Sequence, residues 1–197
     1  MKAASKPKGL VLSGGQSRRM GRDKALLKQD GMSQLRRAVK LLREHLDEVF
    51  VSVRAEQSGE TERARFPQIV DRYSGLGPVA GILSAMDFDE SAAWLVVACD
   101  LPKLDANTIH YLLQHRATSQ PFTAYKSSVD GLPEPLCTIY EASSRGIIDN
   151  FVTQGMHCPR KMLICSDTLL LDQPNPQALD NVNTPDDLLR TTAGLAS

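Results

Sequence analysis

The chain has 197 residues, 42% of them hydrophobic and 23% charged, with 23 basic and 23 acidic side chains. That length and balance suit one soluble globular domain with room for a sizeable core. A formal net charge of zero excludes bulk attraction to nucleic acid or to an anionic membrane, so neither is expected as a partner, and any anion must be held by a local cluster of cations.

Residues 1–8 are polar and basic and are expected to form a flexible terminus. The apolar run after them is too short for a signal peptide or a membrane span, and the expected location is cytoplasmic. Residues 10–12, Leu-Val-Leu, read as a buried strand that breaks at Ser13-Gly14-Gly15. Adjacent glycines there allow positive φ and a close approach of backbone N–H groups to a ligand. Arg18, Arg19 and Lys24 follow. A strand running into such a loop, with cations beside it, is a place to hold a polyphosphate. The loop is not a Walker A sequence, because Gly21 is followed by Arg22-Asp23-Lys24, and it lacks G-x-G-x-x-G spacing.

Ser33 is a predicted N-cap for a helix with Leu35, Val39, Leu42 and Leu46 on its inner face. Residues 48–53 alternate as a strand, and 68–71 form a shorter one. Pro78 suits the first turn of a helix carrying Val79, Ile82, Leu83 and Met86. Residues 94–98 are almost wholly apolar, as expected of a central strand covered on both faces. Asp105 caps the next predicted helix. Residues 121–126 and 136–140 read as strands joined through an Asp130-Gly131 turn, and 143–154 as a helix ending at Gly155. Residues 183–187, Asn-Thr-Pro-Asp-Asp, cap a last helix. Cys99, Cys137, Cys158 and Cys165 form no C-x-x-C pair and read as reduced thiols. The alternation predicts a single α/β domain over 1–197, with a Rossmann-like, mostly parallel twisted sheet, helices on both faces and an antiparallel excursion in the second half.

Ligands of such sheets bind beyond the carboxyl ends of the strands. Asp71 and Asp100 fall at two such ends, and Asn181 and Asn183 precede the final helix. An acid leaving a buried strand can hold Mg²⁺, which needs few protein carboxylates when phosphates and water complete its shell. Asparagine offers both donor and acceptor, useful against a pterin or a phosphate, although Asn183 also suits helix capping.

Residues 14–24, Gly-Gly-Gln-Ser-Arg-Arg-Met-Gly-Arg-Asp-Lys, resemble the signature of the MobA-like nucleotidyltransferases that complete the molybdenum cofactor. The double glycine resembles the molybdopterin guanylyltransferase branch more than the cytidylyltransferases, whose loop usually reads Ala-Ala-Gly. Residues 71–81, 95–102 and 181–188 resemble further family segments in the expected order.

The resemblance implies transfer of GMP from Mg-GTP to the phosphate of molybdopterin, with pyrophosphate released. Proteins of cofactor synthesis, or the molybdoenzymes served, are the implied transient partners. Nucleotide or acceptor contacts are implied for Leu12, Ser13, Gly14, Gly15, Lys24, Asp71, Gly77, Asp100, Asn181 and Asn183. Lys24 with Arg18 or Arg19 is implied to hold the β and γ phosphates, and Asp100 the metal, while the glycines of 75–81 let the backbone approach the nucleotide.

Three departures stand out: Ser13 where the family commonly has Ala, Ser52-Val53-Arg54 in place of an asparagine-containing segment, and a proline- and acid-rich 131–138. Two other readings fit the same residues. One is a transferase of this fold using CTP or another phosphorylated acceptor; the other is a nucleotide- or cofactor-binding carrier without turnover.

Overall fold

The computed structural model describes residues 5–14 and 23–180. Its sheet-forming strands are β1 (Lys8–Leu12), β4 (Val49–Val53), β5 (Gln68–Val70), β6 (Trp94–Ala98), β7 (Phe122–Lys126), β8 (Pro133–Tyr140) and β9 (Thr168–Leu171), and β2 (Lys28–Gln29) and β3 (Met32–Ser33) form a small separate hairpin. The helices are α1 (Gln34–Arg43), α2 (Pro78–Phe88), α3 (Ala106–Gln114), α4 (Arg145–Thr153) and α5 (Pro159–Ile164). Among the described residues the main sheet has the order β5-β4-β1-β6-β8-β7-β9. All neighbours are parallel except where β8 runs against β6 and β7. The predicted mixed sheet with one antiparallel excursion is therefore the observed one. β1 begins at Lys8, whose N–H donates to the Ala93 carbonyl at 2.9 Å, so the ordered sheet reaches into the segment expected to be flexible.

Strand periodicity divides the core into two layers. Val11, Leu95 and Val97 join Leu35, Val39 and Leu42 of α1 and Ile109 and Leu112 of α3 on one face. Leu10, Trp94 and Val96 join Val79, Ile82, Leu83 and Met86 of α2, with Ile148 of α4 and Met162 and Leu163 of α5, on the other. Every residue of β6 is buried, which explains its near-continuous apolar run. The Ser33 hydroxyl accepts the Arg36 N–H at 3.1 Å, and the Asp105 carboxylate accepts the Thr108 N–H at 2.7 Å, so both predicted caps are made.

Two arginines tie neighbouring elements together. Arg116 forms a two-pronged pair with Glu141, at 2.6 and 2.8 Å, and donates to the Ser5 carbonyl. Arg145 at the start of α4 bonds Asp87 of α2, Asp149 one turn on, and the Tyr73 hydroxyl.

The proline-rich departure has a structural reason. The β7–β8 ladder shifts register between Ala124 and Tyr125, passing from Thr138 to Glu134 as partner. The intervening β8 residues bulge, and Pro135 sits there, where no ladder N–H is required of it. The Tyr140 hydroxyl donates to the freed Pro135 carbonyl at 2.8 Å.

Helix α2 lies on β1 and β4 through Gly81, where an added Cβ would stand 2.4 Å from Ser52 Oγ and 2.8 Å from Leu12 Cδ2. This glycine is required for close helix–sheet packing. Gly81→Ala is expected to lower stability by about 1–3 kcal/mol, overpacking outweighing the gain in helix propensity. A fall in the urea midpoint at unchanged denaturant slope checks this.

Candidate active site

The chain winds from β1 through β4 to β5, then returns to place β6 on the other side of β1. A crevice opens beyond the carboxyl ends of strands at such a reversal. Leu12 pairs with Ala98, so Ser13-Gly14 and Cys99-Asp100 leave the sheet side by side. The Cys99 N–H donates to the Leu12 carbonyl at 3.3 Å, extending the contact one residue past the strands.

Lys24 opens a 3₁₀ turn over Lys24–Leu26, capped by Asp23, whose Oδ1 accepts the Ala25 N–H at 3.1 Å. From there Lys24 Nζ reaches Asp100 Oδ2 at 3.3 Å, both side chains remaining partly open to solvent. Two of the residues expected to act on phosphate are thus brought together across 76 positions of sequence. The Cys99 thiol beside them is held protonated: burial first, then the Asp100 and Asp23 carboxylates, push it up to about 12.

Asp71 leaves β5 with its N–H donated to the Val53 carbonyl at 2.8 Å, and its Oδ1 accepts the Ser52 hydroxyl at 2.7 Å. Gly14 faces it; a Cβ there would lie 3.5 Å from Asp71 Oδ2, 3.6 Å from Arg54 Cγ and 3.7 Å from Gln57 Oε1. Burial raises the Asp71 carboxyl above its ordinary range, against the lowering by the Ser52 hydrogen bond and the Arg54 charge. The altered 52–54 segment therefore lines the site: Ser52 orients the acid, and Arg54 is steered by Gln57 and Glu56.

Gly77 caps α2 at φ +57°, a conformation that favours glycine, while Leu12 packs under Gly81. Gly15, Arg18, Arg19, Asn181, Asn183 and the expected final helix lie outside the described residues.

Sequence reasoning missed the residue that organises the loop flanks. Arg63 is wholly buried. Its Nη2 donates to the Ser13 carbonyl and to Asp23 Oδ2, each at 2.7 Å, its Nε to Ser13 Oγ at 3.2 Å, and its Nη1 to Glu60 Oε2 at 3.3 Å. Burial alone would raise the Glu60 carboxyl, but the Glu62 and Arg63 amides and the Arg63 guanidinium hold it below its ordinary range. Arg63 sits within Glu-Thr-Glu-Arg-Ala-Arg, a charged run that reads as a solvated face, so no local pattern marks it.

Two clefts flank Leu101, directly after Asp100. One of about 240 Å³ runs between α1 and residues 99–104, with Arg37 and Lys40 on its wall. The other, of about 100 Å³, lies against the β8 bulge and is lined by Glu134, Pro135, Arg160 and Leu179 among others. Arg160 on its wall pairs with Asp130 at 2.9 Å and Glu134 at 3.0 Å.

The family model of the MobA-like NTP transferase domain matches residues 9–165. A molybdenum cofactor biosynthesis bifunctional protein of Synechocystis sp. is 35% identical over 179 residues, covering 91% of this chain, which spans only 52% of that relative. A probable molybdenum cofactor guanylyltransferase of Opitutus terrae is 36% identical over 155 residues, covering 77% of this chain and 75% of its own. The molybdopterin-guanine dinucleotide biosynthesis protein A of Archaeoglobus fulgidus superposes with a TM-score of 0.77 over 96% of this chain and 98% of its own; at 23% identity the likeness is one of fold. With its strand-end acids and strand order in the arrangement described, the chain belongs to the MobA-like NTP transferase family.

Proposed function

We propose that this protein transfers GMP from GTP to the phosphate of molybdopterin and releases pyrophosphate. The observation that carries the reading is the Lys24–Asp100 pair, 3.3 Å apart, where the glycine loop and the central strand leave the sheet together. The guanylyltransferase names of the relatives support the choice of nucleotide and acceptor.

The attacking group is a phosphate already ionised at neutral pH, so the reaction needs no general base, and catalysis reduces to positioning and charge neutralisation. Lys24 leaves its carboxylate partner to meet the β and γ phosphates, with Arg18 or Arg19 of the same loop beside it. Asp100 is then free to hold a cation. Magnesium suits such a donor: a single partly exposed carboxylate leaves the other positions to phosphate oxygens and water. Among the described residues there is no cluster of three His, Cys, Asp or Glu side chains set for a metal. Bound at Asp100, the ion would supply neutralisation of the α-phosphate and its leaving oxygen. Asp71 faces the base, since a carboxylate can accept the two adjacent N–H donors of guanine. The clefts beside Leu101 and the Asn181–Asn183 region would receive the acceptor.

Pyrophosphate release by the purified protein with Mg²⁺, molybdopterin and each of GTP, CTP, ATP and UTP tests the reading. Release with GTP alone is expected; release with CTP alone overturns the guanine assignment, and silence with all four overturns the transfer. Asp100→Asn is expected to lower kcat by about 100-fold or more while leaving the melting temperature close to wild type.

Asp71 makes a separate prediction. Its folded-state pKa is raised, so the carboxylate is destabilising once the pH exceeds that value, and the penalty vanishes below the unfolded pKa. Asp71→Asn should therefore be more stable than wild type to urea at pH 7, with the gain shrinking as the pH falls through the carboxylate range, while its GTP affinity drops.

A further inference from the structure

Resting on the reading above, we propose that Arg63 is the positioning residue of this site. It fixes the spacing between the two flanks of the nucleotide loop and, through Asp23, aims Lys24 at the phosphates.

A guanidinium taken wholly out of water is tolerated only when its nitrogens find partners, and a well-packed apolar side chain could fill the same space without that demand. All three Arg63 side-chain nitrogens are satisfied, and the distribution of their bonds is informative. Nη1 goes to Glu60 on the residue's own turn, which holds the group from behind. Every other bond goes to Ser13, at the entrance of the loop, or to Asp23, at its exit.

The planar fork of arginine spans two anchors in fixed geometry, which a single ammonium cannot do. Asp23 passes the constraint on. Its Oδ2 takes the arginine while its Oδ1 caps the turn that begins with Lys24. On the other side, the Ser13 hydroxyl accepts Arg63 Nε and donates to the Ser52 carbonyl at 2.9 Å, and Ser52 Oγ donates to Asp71. The phosphate-facing lysine and the base-facing acid are thereby referred to one buried cation. The serine that departs from the family's usual alanine is the hydroxyl this cation uses.

The test compares wild type, Arg63→Lys, Asp23→Asn and the double variant, by Mg-GTP titration and by steady-state pyrophosphate release below the melting temperature of each. Arg63→Lys keeps the charge and loses the fork. Its circular dichroism should match wild type, while GTP affinity falls about tenfold or more and KM for GTP rises in step, the signature of lost preorganisation. Asp23→Asn should move the same way by less, and the double variant should be no worse than Arg63→Lys, because the two act as one unit. A role in stability alone would lower the melting temperature and leave the folded enzyme's KM unchanged, which overturns the proposal. Should Arg63→Lys not fold, Asp23→Asn decides by the same readout. Wild type that releases pyrophosphate, with variants at wild-type KM, sinks the positioning role alone. Wild type that neither binds GTP nor turns over sinks the transferase reading and this inference with it.

Discussion

The site depends on the parallel pairing of β1 with β6, from Lys8 opposite Trp94 to Leu12 opposite Ala98. The interior residues of both strands carry apolar side chains into the two core layers, so a slip of one residue would exchange the faces of both. That penalty fixes where the strands stop, and polar chemistry begins at the first residues beyond them. Ser13 and Gly14 on one side and Cys99 and Asp100 on the other are neighbours because the apolar ladder behind them permits no other register.

Charge is used in two distinct ways around this frame. Arg116 and Arg145 join elements to one another through carboxylates and hydroxyls at the margins of the core. Their partners lie away from the loop, and their contribution is to hold helix on helix or strand on turn. Arg63 and Lys24 instead meet groups whose positions matter to a ligand. The difference shows in exposure: Arg63 is sealed, whereas Lys24 and Asp100 keep about a fifth and a quarter of their side-chain surface open. A residue that sets geometry benefits from burial, and one that would change partners on substrate binding, as proposed for Lys24, benefits from water.

The chain's apolar patterning made much of this legible. Strands β1, β4 and β6, the caps at Ser33 and Asp105, and Pro78 at the start of α2 all followed from local rules that the tertiary structure leaves intact. What escaped is equally physical. α5 has six residues and β9 four half-buried ones, too short for a period to emerge. β8 begins at Pro133 rather than 136 because the bulge accommodates prolines that locally argue against a strand. Of the candidate site, Lys24 and Asp100, which the fold brings together, could be singled out from their places beside a glycine loop and at a strand exit. Gly81 has a packing role against Ser52 that its local sequence does not reveal. Arg63 was invisible because the partners that link it to the loop lie 40 and 50 positions away, and its local pairing with Glu60 does not separate a buried cation from a solvated one.

The central place of β1 has a consequence for how the polypeptide reaches this state. β1 leaves the ribosome before both of its sheet neighbours, and its β6 ladder cannot form until Trp94 has emerged. Until then a run of Gly-Leu-Val-Leu has no native partner on that side, and a strand whose interior residues are buried in the finished sheet is among the last to be enclosed. Such non-local closure slows folding and prolongs exposure of adhesive segments. Vectorial synthesis therefore places the hazard early in translation, and nascent-chain protection matters most over the interval between the first strand and its second neighbour.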